Sequence, residues 1–272
     1  MKTLINGEFS QFIDVNDRAV QYGDGLFETI AIIKGQPLLW DLHLKRLAKG
    51  AQKLNIPFPE ENKFLEDFQQ LNPPTNKNSV VKIILTRGQG GRGYRSPENS
   101  ISTRILSLSP YPDYPQIWQK EGVHCELSPI RLGLNPFFAG IKHLNRLEQV
   151  MARSQWQDPA IAEKILCDLG GRVIEGTQSN LFIYNNGKLS TPLLNNCGIE
   201  GVMKEFIIQK AQDMGVPCQQ RLISLADLAT AEGLFLTNSL IGIWAVKQFQ
   251  QTTYQIEQLP QQLIHHIRHL FN

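Results

Sequence analysis

The 272-residue sequence contains no apolar run approaching the roughly 18 residues of a bilayer-spanning helix, so a helical membrane protein is not expected. Its opening stretch, Met1-Lys2-Thr3-Leu4-Ile5-Asn6-Gly7, has no apolar core of the signal-peptide kind. Cysteine is scarce. Cys125, Cys167, Cys197 and Cys218 are far apart and lack metal-ligand spacing. Reduced thiols in a cytoplasmic protein are therefore the expectation, and neither a thiol metal site nor a cysteine nucleophile is. No charge of one sign dominates: the formal net charge is +2, with Lys and Arg spread along the chain. That argues against nucleic acid or a membrane surface as partner. Internal repeats and low-complexity segments are missing. The only histidine-rich stretch, His265, His266 and His269 on a terminal helix pattern, reads as a solvated face, so no metal is expected.

What is present is an ordinary globular composition, 42% hydrophobic and 19% charged, in a chain long enough for one large or two modest domains. Leu4-Ile5-Asn6-Gly7 reads as a strand closing on an Asn-Gly turn. Phe27 to Ile33, Val80 to Thr86, Thr103 to Ser109, His124 to Pro129 and Lys164 to Asp168 read as strands. Asp41 is placed to cap a helix whose apolar positions Leu44, Leu47, Ala51 and Leu54 follow a helical period, with His43 and Arg46 on one side of it. Asn62 to Leu71 and a stretch from about Met203 to Met214 read as further helices, the second closed by Gly215. Tyr111-Pro112-Asp113-Tyr114-Pro115 reads as a linker. The expected fold is α/β of the α+β type, with a smaller N-terminal domain over 1–114 and a larger one over 115–272.

Four features bear on chemistry. Lys142 follows a turn-prone region (Asn135, Pro136, Gly140) and precedes a helical pattern in which Leu144, Leu147 and Met151 share a face. Such a boundary can aim an amine, and apolar or cationic neighbours would lower its pKa toward a nucleophile. Glu175 lies in a Glu-Gly-Thr-Gln-Ser-Asn turn. The loop Arg87-Gly88-Gln89-Gly90-Gly91-Arg92-Gly93-Tyr94-Arg95 suits carboxylate recognition as well as a flexible hairpin tip. The turns at Gly201-Val202-Met203 and Asn238-Ser239-Leu240 could present backbone N–H groups to an anion. Each signal alone has a bland reading, and spacing by itself does not join them.

A resemblance does. Ile5-Asn6-Gly7, Asp17-Arg18-Ala19, Tyr22-Gly23-Asp24-Gly25-Leu26-Phe27-Glu28-Thr29, His43-Leu44-Lys45-Arg46-Leu47, Lys142-His143-Leu144-Asn145 and Glu175-Gly176-Thr177-Gln178-Ser179-Asn180-Leu181-Phe182 resemble, in order, the class IV pyridoxal-phosphate aminotransferase-like family. That family includes D-amino-acid and branched-chain aminotransferases and aminodeoxychorismate lyases. The resemblance implies two domains with the cofactor in the cleft between them, and a homodimer. It implies Lys142 as the imine-forming lysine, Glu175 on the pyridine nitrogen, and Arg46 on the phosphate. The backbone amides of Val202, Met203, Ser239 and Leu240 are implied around that phosphate.

Within the family the sequence is most similar to the lyases, on Thr86 to Tyr94, Arg131-Leu132-Gly133-Leu134-Asn135-Pro136 and Ala139 to Val150. The transaminases usually carry glycine where Thr29 stands, and glycine then threonine where Asn238-Ser239 stand. The implied reaction takes 4-amino-4-deoxychorismate to 4-aminobenzoate and pyruvate, a step of folate-precursor synthesis. Lys142 would move the proton and Thr29 would sit near the departing enolpyruvate. Arg92 and Asn238 would hold substrate oxygens, with Arg87 and Arg95 as rivals of Arg92. Glu28, frequent in transaminases, is a departure that keeps a D-amino-acid or branched-chain aminotransferase as the alternative.

Overall fold

The computed structural model describes residues 2–156 and 158–271, which fall into two units. One runs to Pro112 and takes back Ile141–Asn145; the other holds Asp113–Gly140 and resumes at Arg146. The division after Pro112 lies two residues before the expected boundary. The return of Ile141–Asn145 was not expected, and it carries Lys142 into the first unit.

The first unit contains β1 (Lys2–Ile5), β2 (Glu8–Phe9), α1 (Arg18–Tyr22), β3 (Gly25–Ile33), β4 (Gln36–Pro37), α2 (Trp40–Leu54), α3 (Glu61–Leu71), β5 (Ser79–Thr86) and β6 (Thr103–Pro110). Its sheet runs β2-β1-β6-β5-β3-β4, antiparallel throughout. The Asn6-Gly7 turn has φ of 51° and 90°, the left-handed pair that matches hairpin twist. Alternation in β3 and β5 sends Leu26, Ile30, Ile32, Val81, Ile83 and Leu85 to one face. There they meet Leu44, Leu47 and Ala51 of α2 and Phe64, Phe68 and Leu71 of α3. The helix α2 begins one residue before Asp41, with Leu39 in the cap position at φ 53°, so Asp41 lies in the first turn and is not the cap. A carboxylate there still complements the helix dipole.

The second unit contains α4 (Gln116–Glu121), β7 (Val123–Leu132), α5 (Leu147–Ser154), β8 (Ile161–Asp168), β9 (Val173–Gly176), β10 (Asn180–Asn185), β11 (Lys188–Pro192), α6 (Val202–Asp213), β12 (Cys218–Arg221), α7 (Leu225–Ala229), β13 (Gly233–Asn238), β14 (Gly242–Phe249), β15 (Thr252–Thr253) and α8 (Gln261–His269). The strand order is β12-β11-β10-β13-β14-β7-β8-β9, with β15 on β14. β11 and β12 are parallel, so α6 is the crossover of a βαβ unit whose N-terminus follows the carboxyl end of β11. Trp244, Leu181, Ile183, Leu234 and Leu236 centre the main core, and Leu132, Ala152, Leu166, Ile174 and Leu194 form a second one. The helix expected to carry Leu144, Leu147 and Met151 on one face is corrected. It starts only at Leu147, it buries Gln149 and Ala152, and Leu147 and Met151 are exposed.

Candidate active site

In the first unit the functional geometry begins at the free edge of β3. The β4 strand pairs only with the far end of β3, at Ile32 and Ile33, which leaves the Gly25–Phe27 edge open. The chain from Ile141 to Asn145 fills it. Phe27 N–H donates to Lys142 O at 3.0 Å, Leu144 N–H donates to Gly25 O at 3.0 Å, and Leu26 and His143 bridge antiparallel. Gly25 permits this approach, because a Cβ there would lie 2.8 Å from Leu144 Cδ1 and 2.7 Å from Leu85 O. Lys142 is therefore fixed by strand pairing, five residues before α5, and not by a helix start. Its Nζ lies 4.3 Å from the centre of the Phe27 ring. Opposed strand residues share a face, so Lys142, Phe27 and, two residues on, Thr29 point to the same side of the sheet.

Glu28 points to the other side. It is fully buried, accepting from His43 Nδ1 at 2.6 Å and from Arg46 Nε at 2.8 Å and Nη2 at 2.5 Å. Burial opposes its charge, but the Arg46 guanidinium and the His43 hydrogen bond prevail and pull its pKa down to about 2. Burial likewise holds the His43 pKa below its ordinary value, so His43 is a neutral donor to Glu28. The glutamate that raised the transaminase alternative is thus a packed ion pair beneath α2, turned away from Thr29. The helical spacing of His43 and Arg46 was legible in the sequence; their common partner was not.

The loop arginines separate. Arg87 is buried, with Nε and Nη2 on Asp24, and donates to the carbonyls of Leu54 and Asn55. It is structural. Arg92 and Arg95 lie exposed on the loop, Arg95 facing Glu98 at 3.5 Å.

In the second unit Glu175 is buried in β9 and accepts from Ile199 N–H at 2.8 Å and from Gln149 Nε2 at 3.4 Å. Asn180 Nδ2 holds Ile199 O at 2.9 Å, and Gly140 pairs in parallel with Ile199, fixing the 198–201 loop. Sequence reasoning missed Glu163. Its buried carboxylate takes Thr177 Oγ1 at 2.6 Å, Ser179 Oγ at 2.8 Å and the Thr177 N–H at 3.1 Å, and so builds the turn after Glu175. Two small hydroxyls in a tight turn were the available signal.

The loop ends at α6, whose cap residue, Gly201, supplies no side-chain cap. The first intrahelical bond is Glu205 N–H to Gly201 O, so the N–H groups of Val202 and Met203 face outward along the helix start. Inside α6, Lys204 is buried with Nζ on Pro192 O, Glu200 and Gln220. The other expected anion turn is tied by its own side chain. Asn238 Oδ1 accepts from Leu240 N–H at 2.8 Å and Ile241 N–H at 2.9 Å, while its Nδ2 donates to Gln178 O at 3.0 Å. The Asn238 side chain orders its own turn, and the Leu240 N–H, expected on an anion, goes to it. Ser239 lies half-buried in the same turn. Among the described residues no group of three or more His, Cys, Asp and Glu could hold a metal ion.

The family model for amino-transferase class IV matches residues 25–249. The chain belongs to the class IV aminotransferase family. An aminodeoxychorismate lyase of Vibrio harveyi is 34% identical over 241 residues, covering 88% of each chain. A putative branched-chain-amino-acid aminotransferase of Methanocaldococcus jannaschii is 29% identical, over 89% of this chain and 86% of its own. Among solved structures, the 4-amino-4-deoxychorismate lyase of Pseudomonas aeruginosa superposes with a TM-score of 0.93 at 40% identity, covering 98% of both chains. The branched-chain aminotransferase of Escherichia coli, at 21% identity and a TM-score of 0.84 over 99% of this chain and 93% of its own, shares the class IV fold.

Proposed function

We propose that this chain is a pyridoxal-phosphate-dependent lyase that converts 4-amino-4-deoxychorismate to 4-aminobenzoate and pyruvate. The observation that carries the reading is the strand register that gives Lys142 and Thr29 one sheet face, where the transaminases of the family usually have glycine in place of Thr29. The lyase names of the Vibrio and Pseudomonas relatives agree with it.

The donor set fits pyridoxal phosphate. Lys142 supplies the amine that binds the carbonyl, and the buried Glu175 suits a protonated pyridine nitrogen. The N–H groups of Val202 and Met203, with Ser239 and the cation Arg46, suit a phosphate dianion. When bound, the cofactor supplies an electron sink for the pair left by C–H cleavage. Lys142, in its neutral form, takes the proton from the carbon bearing the substrate amine. The C–O bond on the neighbouring carbon breaks, the ring becomes aromatic, and Thr29 delivers a proton to the departing enolpyruvate. Arg92 binds a substrate carboxylate.

The proposal includes a cytoplasmic homodimer. Exposed apolar side chains, Phe12, Val15 and Ile101 in the first unit and, separately, Leu147 in the second, support contacts with a partner, and no helix among the described residues is long and apolar enough to cross a membrane. Light scattering at micromolar concentration checks the dimer. The function is tested by supplying 4-amino-4-deoxychorismate and measuring 4-aminobenzoate and pyruvate, expected in equal amounts. No product, together with exchange between D-alanine or leucine and 2-oxoglutarate, replaces the lyase with a transaminase.

A further inference from the structure

Lys204 is the one buried lysine among the described residues, and it sits in the first turn of α6. Lysine is almost never fully buried unless it is paired. A cation in a first turn also adds to the positive end of the helix dipole, where negative charge is the favoured kind. Two general preferences are thus set aside at one residue, in the turn that presents the Val202 and Met203 N–H groups.

The partners of its amine show what is gained. Nζ donates to Glu200 Oε2 at 2.8 Å, to Pro192 O at 3.0 Å and to Gln220 Oε1 at 3.0 Å. Three acceptors match the three N–H donors of an ammonium. A neutral amine has only two, so the charged form is the one held. Pro192 ends β11, Gln220 lies in β12, and Glu200 precedes the cap residue Gly201. One ammonium therefore ties the helix start to both parallel strands that α6 connects and to the loop that enters it.

The earlier part of that loop is held by other groups. Gly140 N–H donates to Gly198 O at 2.9 Å, Glu200 N–H donates to Gly140 O at 3.1 Å, and Asn180 Nδ2 donates to Ile199 O at 2.9 Å. These contacts set Ile199, whose N–H reaches Glu175. Beyond Glu200 no side chain caps the helix. The Glu175 side of the loop thus belongs to Gly140 and Asn180, and the polar tie at the start of α6 is Lys204.

We propose that Lys204 is a positioning residue for the cofactor phosphate, fixing the first turn of α6 so that the Val202 and Met203 N–H groups converge on the anion. The inference rests on the reading that this turn takes the phosphate. With all three donors spent inside the protein, Lys204 acts through the backbone of the two residues before it. Its charge, at the positive end of the helix, favours the anion further.

The test strips the cofactor from the full-length chain and titrates it with pyridoxal 5′-phosphate and with pyridoxal, which lacks the phosphate. Binding is followed by the visible absorption of the lysine-linked form. Lys204→Met is expected to raise Kd for pyridoxal 5′-phosphate about 10–30-fold and Kd for pyridoxal less than about 3-fold. A merely structural role would weaken both ligands by the same factor, and that result overturns the inference. Gln220→Ala, at an exposed position, removes one acceptor and leaves the charge. It should weaken pyridoxal 5′-phosphate alone, about 3–5-fold, and it decides the matter if Lys204→Met does not fold. If the wild type prefers pyridoxal 5′-phosphate and the folded variants keep that preference in full, the inference falls and the phosphate reading of α6 stands. If the wild type binds pyridoxal as tightly as pyridoxal 5′-phosphate, the phosphate reading falls and the inference with it.

Discussion

Each unit of the molecule buries a glutamate, and the two sit in different hydrogen-bond frames. Glu28 of the first unit is saturated by a guanidinium fork and an imidazole N–H, and its pKa is drawn down to about 2. Glu175 of the second unit accepts from a backbone amide and a carboxamide, with Glu163 shaping the turn behind it. A carboxylate locked to an arginine is committed to packing, because removing either partner leaves an uncompensated buried charge. The same residue type, equally buried, is scaffold in one place and a candidate reaction group in the other.

The comparison can be broken at several points. Lys142→Ala is expected to abolish turnover and the visible absorption of the lysine-linked cofactor. A surviving band of wild-type intensity would move the amine elsewhere. Glu175→Gln should keep the fold and the bound cofactor but lower kcat about 10²–10³-fold, since a neutral amide no longer holds the ring nitrogen charged. Unchanged turnover would put Glu175 in the scaffold class with Glu28. Thr29→Val, on the Lys142 face, should reduce kcat about 10–100-fold while thermal stability is kept.

For Glu28→Gln the expectation inverts: a loss of about 3–5 kcal/mol in urea unfolding, with kcat of the folded enzyme within about 10-fold. Its pH dependence sharpens the point. A depressed folded pKa stabilises above the ordinary carboxylate value of 4.5, and that stability is lost as pH falls toward about 2. His43, also depressed, adds a loss as pH falls through its ordinary value of 6.5, because the unfolded chain takes the proton first. Wild-type stability should therefore decline below about pH 6.5 and steepen below 4.5, and Glu28→Gln should shrink the lower limb, leaving the part that Asp24, held down against its burial by Arg87 and Arg18, also contributes. The smallest effect concerns the thiols. Burial holds Cys197 up at about 12 and Cys218 at about 11, so a thiol reagent at pH 8 should label the native protein slowly, the half-buried Cys218 first.

The local signals in the sequence were reliable where one element decides them. The Asn6-Gly7 hairpin, the period of Leu44, Leu47 and Ala51, and the β-rich runs at Val80 and Thr103 all formed as strands, turns and helices within a residue or two. Ordered motifs identified the family, and the family model matches residues 25–249, taking in the motifs from Gly25 onward. What was illegible involves partners distant in sequence. Lys142 reads as the start of a helix, yet it is placed by strand pairing with Gly25 and Phe27, more than a hundred residues away. Glu28 reads as a mark of transaminase chemistry until α2 folds over it.

By itself, then, the sequence determined most of the elements and the family, because periodicity, turn chemistry and motif order are local or linear properties. Only the tertiary structure decided which face each residue serves. A strand sends neighbouring side chains to opposite sides, so Glu28 and Thr29, adjacent in the chain, belong to different environments. Register then sets Lys82 opposite Thr29, and register is a property of two strands together, which neither of them carries alone.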